Sequence, residues 1–363
     1  MVKFKEVINA SLEWTQTILF RPFKLKKWLI LTFVALLAGN LIGGCNSNYS
    51  GSSHDKEIKK AEASTTQQLS ALDNAPKKDS LQTATNFKSS LKELKSSFKK
   101  PYILFLLILA LLFLVMFIVI LSYLSCRFVF IFLTNIIKND ASLKLPFREN
   151  KQIGNSLFLF TMAYAAVVFL IFIVTIAFWG YVLFKAGVFS ASLKVSFLKV
   201  ILISLPFIIF VILFTILLSL IYLIIYDFVV IVMLKDKTNF VKSCKKVIAV
   251  LKLNKRDFFI YILIKIGLGF CSAVLNSIIS FISFFGLLLP GLGLIGLFYV
   301  IYLATPAFLQ FIWLILGILI GVPIIIAWVC FSLLICLPFA VFFRTLSVKF
   351  FGRLDKGYDL FAF

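Results

Sequence analysis

The sequence predicts an all-α protein: a polytopic transmembrane helical bundle of about six spans with cytoplasmic interfacial amphipathic helices. Three observations predict this fold class. Of the 363 residues, 61% are hydrophobic and 14% are charged, whereas soluble domains are about 45–50% apolar and about 25% charged. The apolar residues form charge-poor runs of about 20 residues, the length that crosses the hydrocarbon core. The chain also has 37 Lys+Arg against 15 Asp+Glu, a formal net charge of +22.

Six apolar runs are predicted to be spans. The first, residues 28–44, is the shortest; it follows a basic cluster and has Trp28 at its edge, where an indole favours the membrane interface. The other five make residues 101–363 a five-span membrane bundle. Their predicted bounds are 101–124, 156–184, 200–226, 258–289 and 311–343.

The basic residues predict the orientation, because Lys and Arg near span ends stay on the cytoplasmic side. Residues 1–27, the loops 138–155 and 235–257, and the segment after Arg344 are rich in them. Six spans place all four segments in the cytoplasm. We therefore expect a multi-pass protein of the cell membrane, the cytoplasmic membrane of a prokaryote, with both termini cytoplasmic.

Residues 290–310 leave two alternatives open, because they are nearly as apolar as a span. They form either a re-entrant or interfacial segment bounded by Pro290 and Pro306, or a seventh span. A seventh span would move the basic carboxyl terminus to the outside. We favour the re-entrant segment.

The polar segment 45–100 holds ten Lys and six acidic residues and few large apolar side chains. Such a composition does not support a separate core, so we predict an extracytoplasmic helical loop. Cys45 at its start follows Leu41-Ile42-Gly43-Gly44, which is similar to a lipoprotein cleavage site. Lipidation of Cys45 and a glycine-terminated helix end both remain open.

Two basic segments have the helical period of apolar residues that is typical of amphipathic helices. They are residues 4–19 within the predicted cytoplasmic helix 1–27, and residues 240–251 within the loop 235–257. We predict that they lie in the headgroup plane. The expected partners are the lipid bilayer, its anionic headgroups at the basic loops, and a membrane protein. Nucleic acid is not expected, since the charge is spread over several loops without a binding module.

Four charged residues fall inside or at the ends of predicted spans, where ionisable groups are expensive and often functional. They are Arg127, Asp227, Lys265 and Arg344. All four are predicted near the cytoplasmic side, so Asp227 can pair with the basic residues in an intramembrane charge cluster. The alternative is that the basic side chains extend to the headgroups and Asp227 faces water.

Gly317 and Gly321 have the small-xxx-small spacing that lets helix backbones approach closely, which makes them candidate helix-packing residues. Pro206, Pro323 and Pro338 lie within spans and are expected to bend them.

We identify no catalytic, cofactor-binding or metal-binding residue. The six cysteines lack a CxxC pair, His54 is the single histidine, and the common nucleotide, hydrolase and metalloprotease motifs are missing from the sequence. We therefore expect a protein that is not an enzyme and has no cofactor.

Several short stretches resemble an uncharacterised family of prokaryotic six-span membrane proteins. They are FRPFKLKKW, RFVFIF with FRENKQIGNSLFLF, DFVVIVMLKDKT, KRDFFIYIL and LPFAVFFRTLSVKFFGRLDKGYDLF. That family is similar to the membrane half of membrane-anchored glycerophosphodiester phosphodiesterases. The resemblance implies a fold and no activity, since no phosphodiesterase catalytic domain is present.

Three functions remain open. We favour a non-catalytic scaffold or interaction protein, because the middle stretches of the spans are mostly Leu, Ile, Phe and Val. A permease or exporter would need a polar, water-accessible cavity among the proline-bent spans. A lipid-handling protein would have a lateral groove lined by Phe between spans.

Overall fold

The computed structural model describes residues 3–39, 41, 101–186 and 197–361. These residues are helical and contain no strand, so the all-α prediction is confirmed. The α-helices are α1 (Phe4–Phe20), α2 (Leu25–Leu37), α3 (Pro101–Lys138), α4 (Lys144–Glu149), α5 (Lys151–Lys185), α6 (Phe197–Ile224), α7 (Val230–Asp236), α8 (Phe240–Leu253), α9 (Lys255–Ala304) and α10 (Ala307–Leu354). A π turn, Ile225–Val229, joins α6 to α7, and a short 3-10 turn, Lys356–Tyr358, follows α10.

Five stretches of the described chain are long and apolar enough to cross a membrane. They correspond to five of the six predicted spans. Their bounds are Leu104–Lys138, Lys151–Lys185, Val200–Asp236, Lys255–Leu303 and Ile315–Leu354.

The predicted first span, 28–44, corresponds in its described part to α2, whose 13 residues are too few to cross a bilayer. α2 runs antiparallel to the end of α3. Lys27 Nζ donates to Asn139 Oδ1 at 2.7 Å, and the rings of Phe33 and Phe128 are 6.1 Å apart. α2 therefore points in the direction that a first span requires, while residues 40 and 42–44 lie outside the described residues.

The predicted re-entrant segment 290–310 is wrong. α9 continues through Pro290 to Ala304, and α10 begins at Ala307 after a turn at Thr305 and Pro306. Proline ends a helix only when the preceding turn cannot adapt, and a long apolar helix keeps most of its hydrogen bonds around one such residue. α9 and α10 thus form one antiparallel pair, and residues 290–310 form no separate seventh span between them.

The chain divides into two compact units, Asn48–Leu121 and the remainder of the chain. In the smaller unit the structure describes residues 101–121, an apolar helical stretch whose side chains are mostly exposed. The predicted extracytoplasmic loop 45–100, with Cys45 and His54, lies outside the described residues.

The larger unit has its core at the ends of the spans that adjoin the basic loops. We call this core the basal core. It combines α1, α2, residues 126–136 of α3, the start of α5 at Ile153 and Leu157, residues 225–233, the buried face of α8, Tyr261 of α9, residues 337–351 of α10 and Leu360. Segments 127–132 and 227–232 are apolar on almost every side, which is typical of helices buried all round. Away from the basal core the spans expose aliphatic and aromatic side chains, as a bilayer requires.

The amphipathic helices α1 and α8 form where the sequence predicts them, but their apolar faces are buried against protein. Phe4 of α1 stacks on Phe350 of α10, with ring centroids 5.7 Å apart. Val247 and Leu251 of α8 are buried in the basal core, and the first backbone N–H of α8, at Phe240, donates to Ser156 Oγ at 3.0 Å. The ends of the spans therefore provide the apolar surface against which α1 and α8 pack, where the sequence predicts contact with lipid.

The four basic segments meet at this one end of the molecule. Trp14 of α1 lies 5.0 Å from Phe361 near the carboxyl terminus, measured between ring centroids. Lys237, in one basic loop, donates from Nζ to Asn150 Oδ1 of the other loop at 2.8 Å, and burial lowers the pKa of this lysine. The segments that were predicted to share one side of the membrane therefore share one end of the fold.

Candidate functional site

The π turn at residues 225–229 presents Asp227 to the basal core. A π turn widens the helix by one residue, leaves backbone carbonyl groups without their usual helical partners, and is frequent at functional sites. Here it continues α6 into α7 and holds Asp227 with 6% of its surface exposed. A carboxylate this deeply buried needs partners for its charge.

Lys265 and Tyr261 of α9 are those partners. Asp227 Oδ2 accepts hydrogen bonds from Tyr261 OH at 2.8 Å and from Lys265 Nζ. Tyr261 OH also lies 3.0 Å from Ser347 Oγ of α10. The resulting charge cluster connects the π turn, α9 and α10 through side chains alone.

Arg344 of α10 lies at the same place but does not pair with the carboxylate. Its Nη1 donates to the carbonyl of Tyr226 in the π turn, so it uses an acceptor that the widened helix provides. Only 4% of the residue is exposed. Its Nε and Nη2 are buried and have no hydrogen-bond partner among the described residues.

Arg127, the fourth residue predicted for the cluster, belongs to a different site, and its prediction as a partner of Asp227 is wrong. Its Nη2 donates to Asn155 Oδ1 at 3.1 Å, and its guanidinium lies over the rings of Tyr123 and Phe147, at 4.6 and 4.8 Å. Depth along the membrane can be read from sequence, but the rotation of α3 about its axis cannot. That rotation turns Arg127 towards α5, where it is buried instead of extending to the headgroups.

Gly154 of α5 makes room for Arg127. A Cβ atom at Gly154 would lie 2.9 Å from Arg127 Cγ and 3.6 Å from Arg127 Cα. We expect Gly154→Ala to force α5 away from α3 and to reduce the free energy of unfolding by about 1–3 kcal/mol, the usual range for overpacking. Thermal unfolding of the purified protein in detergent measures this.

The matched control is Gly180→Ala on the same helix, where a Cβ atom would meet nothing within 4 Å. That variant should be as stable as the parent or slightly more stable, because alanine favours a helix over glycine. Equal destabilisation by both substitutions would contradict the packing role of Gly154.

Gly317 and Gly321 do not pack against another helix in the part of the chain that the structure describes. A Cβ atom at either position would find open space within 4 Å. The role of Gly317 and Gly321 as helix-packing residues therefore stays a prediction, and among the described residues no other helix lies within 4 Å of a Cβ atom at either position.

A cavity of about 580 Å³ lies between α5 and α6. Six phenylalanines line it: Phe160, Phe169, Phe172, Phe207, Phe210 and Phe214. The lining threonines use their hydroxyl hydrogens within their own helices; Thr175, for example, donates to the Ile171 carbonyl at 2.7 Å. The wall is therefore mainly apolar along its length.

Tyr222 and Tyr226 line the basal end of this cavity, with ring centroids 4.1 Å apart. Tyr226 is the residue whose carbonyl accepts from Arg344, so the charge cluster begins directly behind this end of the cavity. At the same end Phe160 stacks on Phe240, the first residue of α8, at 3.7 Å.

Tyr261, Ser347 and the two tyrosines of the cavity are not among the site residues predicted from the sequence. Tyr261 could have been found, because it precedes Lys265 by four residues and so lies on the same helix face. Ser347 and the Tyr226 carbonyl carry no such signal, since their role depends on how three helices are rotated. Among the described residues no group of three or more His, Cys, Asp or Glu side chains could hold a metal ion.

Comparison with known proteins finds one family. The model of a family of unknown function, DUF7544, matches residues 5–361. No curated protein and no solved structure matches the chain. The uncharacterised family expected from the sequence is consistent with this match, whereas no relation to glycerophosphodiester phosphodiesterases is shown.

Proposed function

The chain belongs to the DUF7544 family, and we propose that it is a non-catalytic integral protein of the cytoplasmic membrane that serves as an interaction scaffold. The observation that supports this proposal most is that the buried charged residues lie together at one end of the spans. Asp227, Lys265 and Arg344 are gathered in the basal core, where they join helices, and the spans beyond them expose apolar side chains. A path for protons or solutes would need polar groups further along the spans.

In this proposal the basal end faces the cytoplasm. The support is the excess of Lys and Arg in the four segments that meet there, because basic residues near span ends are retained on that side. Both termini would then be cytoplasmic, as the sequence predicts.

The outward face of α8 is the surface we propose for anionic lipid headgroups. Residues 241, 245, 248 and 252 share one side of the helix, opposite the buried residues Val247 and Leu251. Val241 is 62% exposed and Ile248 is 42% exposed. Lys245 lies between these two residues along the chain, and Lys252 follows Ile248. Lysines alternating with aliphatic residues suit a helix that touches both phosphate groups and the upper acyl region.

Charge reversal on α8 tests this surface. We expect Lys245→Glu with Lys252→Glu to reduce, but not abolish, the preference of the purified protein for phosphatidylglycerol over phosphatidylcholine, since each lysine near an anionic surface contributes about 1 kcal/mol. Retention of each lipid through purification, measured by mass spectrometry, reports the preference. Lys185→Glu, an exposed lysine at the opposite end of α5, is the control and should change little.

Identification of the proteins that co-purify with the intact chain from native membranes tests the scaffold role. We expect a defined membrane protein in a fixed ratio, and its loss in the double α8 variant at unchanged thermal stability. A protein that purifies alone and moves a solute across vesicle membranes would contradict the scaffold and favour a permease or exporter.

A further inference from the structure

The three charged residues of the cluster do not neutralise one another. Asp227 contributes one negative charge, and Lys265 and Arg344 contribute two positive charges. The carboxylate is used by Lys265 and Tyr261, so Arg344 has no carboxylate of its own. A buried guanidinium that shares the nearby carboxylate with a lysine is unfavourable, and one with two nitrogens that lack acceptors is more so.

The position of Arg344 indicates where the missing anion would bind. Arg344 donates from Nη1 to the Tyr226 carbonyl and interacts electrostatically with Asp227 and Tyr261 as well as with Tyr222 and Tyr226. Both Tyr222 and Tyr226 line the basal end of the α5–α6 cavity, so the guanidinium lies behind the lining at this end. An anion placed here would meet the field of a cluster with one excess positive charge in a region of low dielectric constant, where that field is strong.

The rest of the cavity has the shape and chemistry for an acyl chain. On α5 its lining extends from Phe160 to Ile176, which is about 24 Å of helix. The lining is therefore long enough for an acyl chain in one leaflet of hydrocarbon, which is roughly 15 Å deep, half of a core of about 30 Å. The cavity volume of about 580 Å³ lies within the range of about 300–1,000 Å³ that is typical of small-molecule sites. Its phenylalanines offer contacts to methylene groups and none to a hydrophilic solute.

We propose that this cavity binds one anionic phospholipid, with an acyl chain along the phenylalanines of α5 and α6 and its phosphate at the tyrosines beside Arg344. The charge of Arg344 is at the end of the cavity that adjoins the basic loops, and the apolar lining extends away from that end. A phospholipid in the leaflet on the side of the basic loops has the same orientation, with its headgroup at the loops and its acyl chains pointing away from them. The hydroxyls of Tyr222 and Tyr226 are hydrogen-bonded to each other, and the hydroxyl hydrogen not used in that bond can donate to the phosphate. This site is separate from the outward face of α8.

Two variants test the headgroup end and the acyl end separately. Arg344→Met removes the charge and keeps an apolar side chain of similar length. Val168→Trp fills the cavity from its lining. Val167→Trp is the matched control, since Val167 is the adjacent residue, is 58% exposed and does not line the cavity.

The measurement is the binding of phosphatidylglycerol and phosphatidylcholine with identical acyl chains to the delipidated full chain, followed by native mass spectrometry and by the rise in melting temperature. We expect the parent protein to bind phosphatidylglycerol more tightly. Arg344→Met should weaken phosphatidylglycerol binding roughly tenfold or more, because the phosphate loses the attraction of a nearby cation in a region of low dielectric constant, and should leave phosphatidylcholine binding nearly unchanged. Val168→Trp should weaken both lipids, and Val167→Trp neither.

The lipid-free proteins provide a second readout. Arg344→Met loses the hydrogen bond to the Tyr226 carbonyl and also removes the excess positive charge of the cluster, so its melting temperature without lipid should change little, and it should gain less from phosphatidylglycerol. An equal gain from phosphatidylglycerol in Arg344→Met and the parent would overturn the proposal. Equal affinity of the parent for both lipids, or equal effects of the two tryptophan variants, would also overturn it.

The same experiment distinguishes this site from the α8 surface. The double variant Lys245→Glu with Lys252→Glu should retain the phosphatidylglycerol that Val168→Trp loses. If the α8 variant alone abolishes the preference for anionic lipid and Arg344→Met does not, the headgroup binds α8 and the cavity proposal is wrong.

Discussion

Replacing Asp227 with alanine is expected to destabilise the protein by about 3–5 kcal/mol, the effect of removing one partner from a buried ion pair. The substitution leaves Lys265 and Arg344 as two buried or partly buried cations and removes the acceptor of Tyr261 OH. The basal core would then hold like charges without a carboxylate. Thermal unfolding in detergent, followed by tryptophan fluorescence, measures the loss.

Asp236 provides a matched control, because it also accepts from a lysine and a tyrosine. Its Oδ2 accepts from Lys246 Nζ at 2.6 Å and from Tyr358 OH at 3.0 Å, but this pair is at the surface. The hydrogen bond to Asp236 raises the pKa of Lys246. We expect a much smaller change for Asp236→Ala, since water replaces an exposed pair easily.

Asp227→Asn separates charge from shape. The amide can still accept from Tyr261 but does not neutralise Lys265, so its stability should fall between the parent and Asp227→Ala. Equal melting temperatures for Asp227→Ala and Asp236→Ala would show that burial of the cluster contributes nothing to stability.

Phe350→Ala is the second substitution with a large expected effect, about 3–5 kcal/mol, the range for removing a buried aromatic side chain. Phe350 is fully buried and stacks on Tyr261 of α9 at 4.3 Å and on Phe4 of α1 at 5.7 Å. Its ring centroid also lies 6.0 Å from that of Phe228 in the π turn. Its loss should loosen α1 as well as lower the melting temperature, so trypsin should cleave after Lys3 and Lys5 faster.

The control is Phe331→Ala on the same helix, where the side chain is 53% exposed. It removes the same number of atoms from a site that contacts lipid or detergent, so little stability should be lost. If Phe331→Ala matched Phe350→Ala in both readouts, the basal core would not be the part that holds α1 to α10.

The span positions and the amphipathic helices α1 and α8 were predictable because they depend on local properties. A charge-poor run of sufficient length or an apolar period of 3.6 residues can be read without knowing what the segment contacts. The depth of Asp227 and Lys265 in the membrane also follows from the positions of the apolar runs. For this reason the sequence predicts that the two side chains are close enough to pair.

The partners of each side chain were not predictable in the same way. Arg127 and Arg344 both end spans and have similar surroundings in the sequence, yet one faces Asn155 and the other faces Tyr226. The difference is a rotation of a helix about its axis, and a helix that is apolar all round has no period to reveal it. The π turn and the continuation of α9 through Pro290 are likewise results of packing.

The amino-acid sequence by itself determined that this is an all-helical protein with membrane-length apolar segments and a basic end, because composition and run length act residue by residue. Only the tertiary structure decided which of the basic residues bonds to the buried aspartate, where the apolar faces of α1 and α8 are buried, and that a phenylalanine-lined cavity ends beside Arg344. These features depend on the relative rotation and spacing of helices far apart in the chain, and contacts of that kind leave no local pattern.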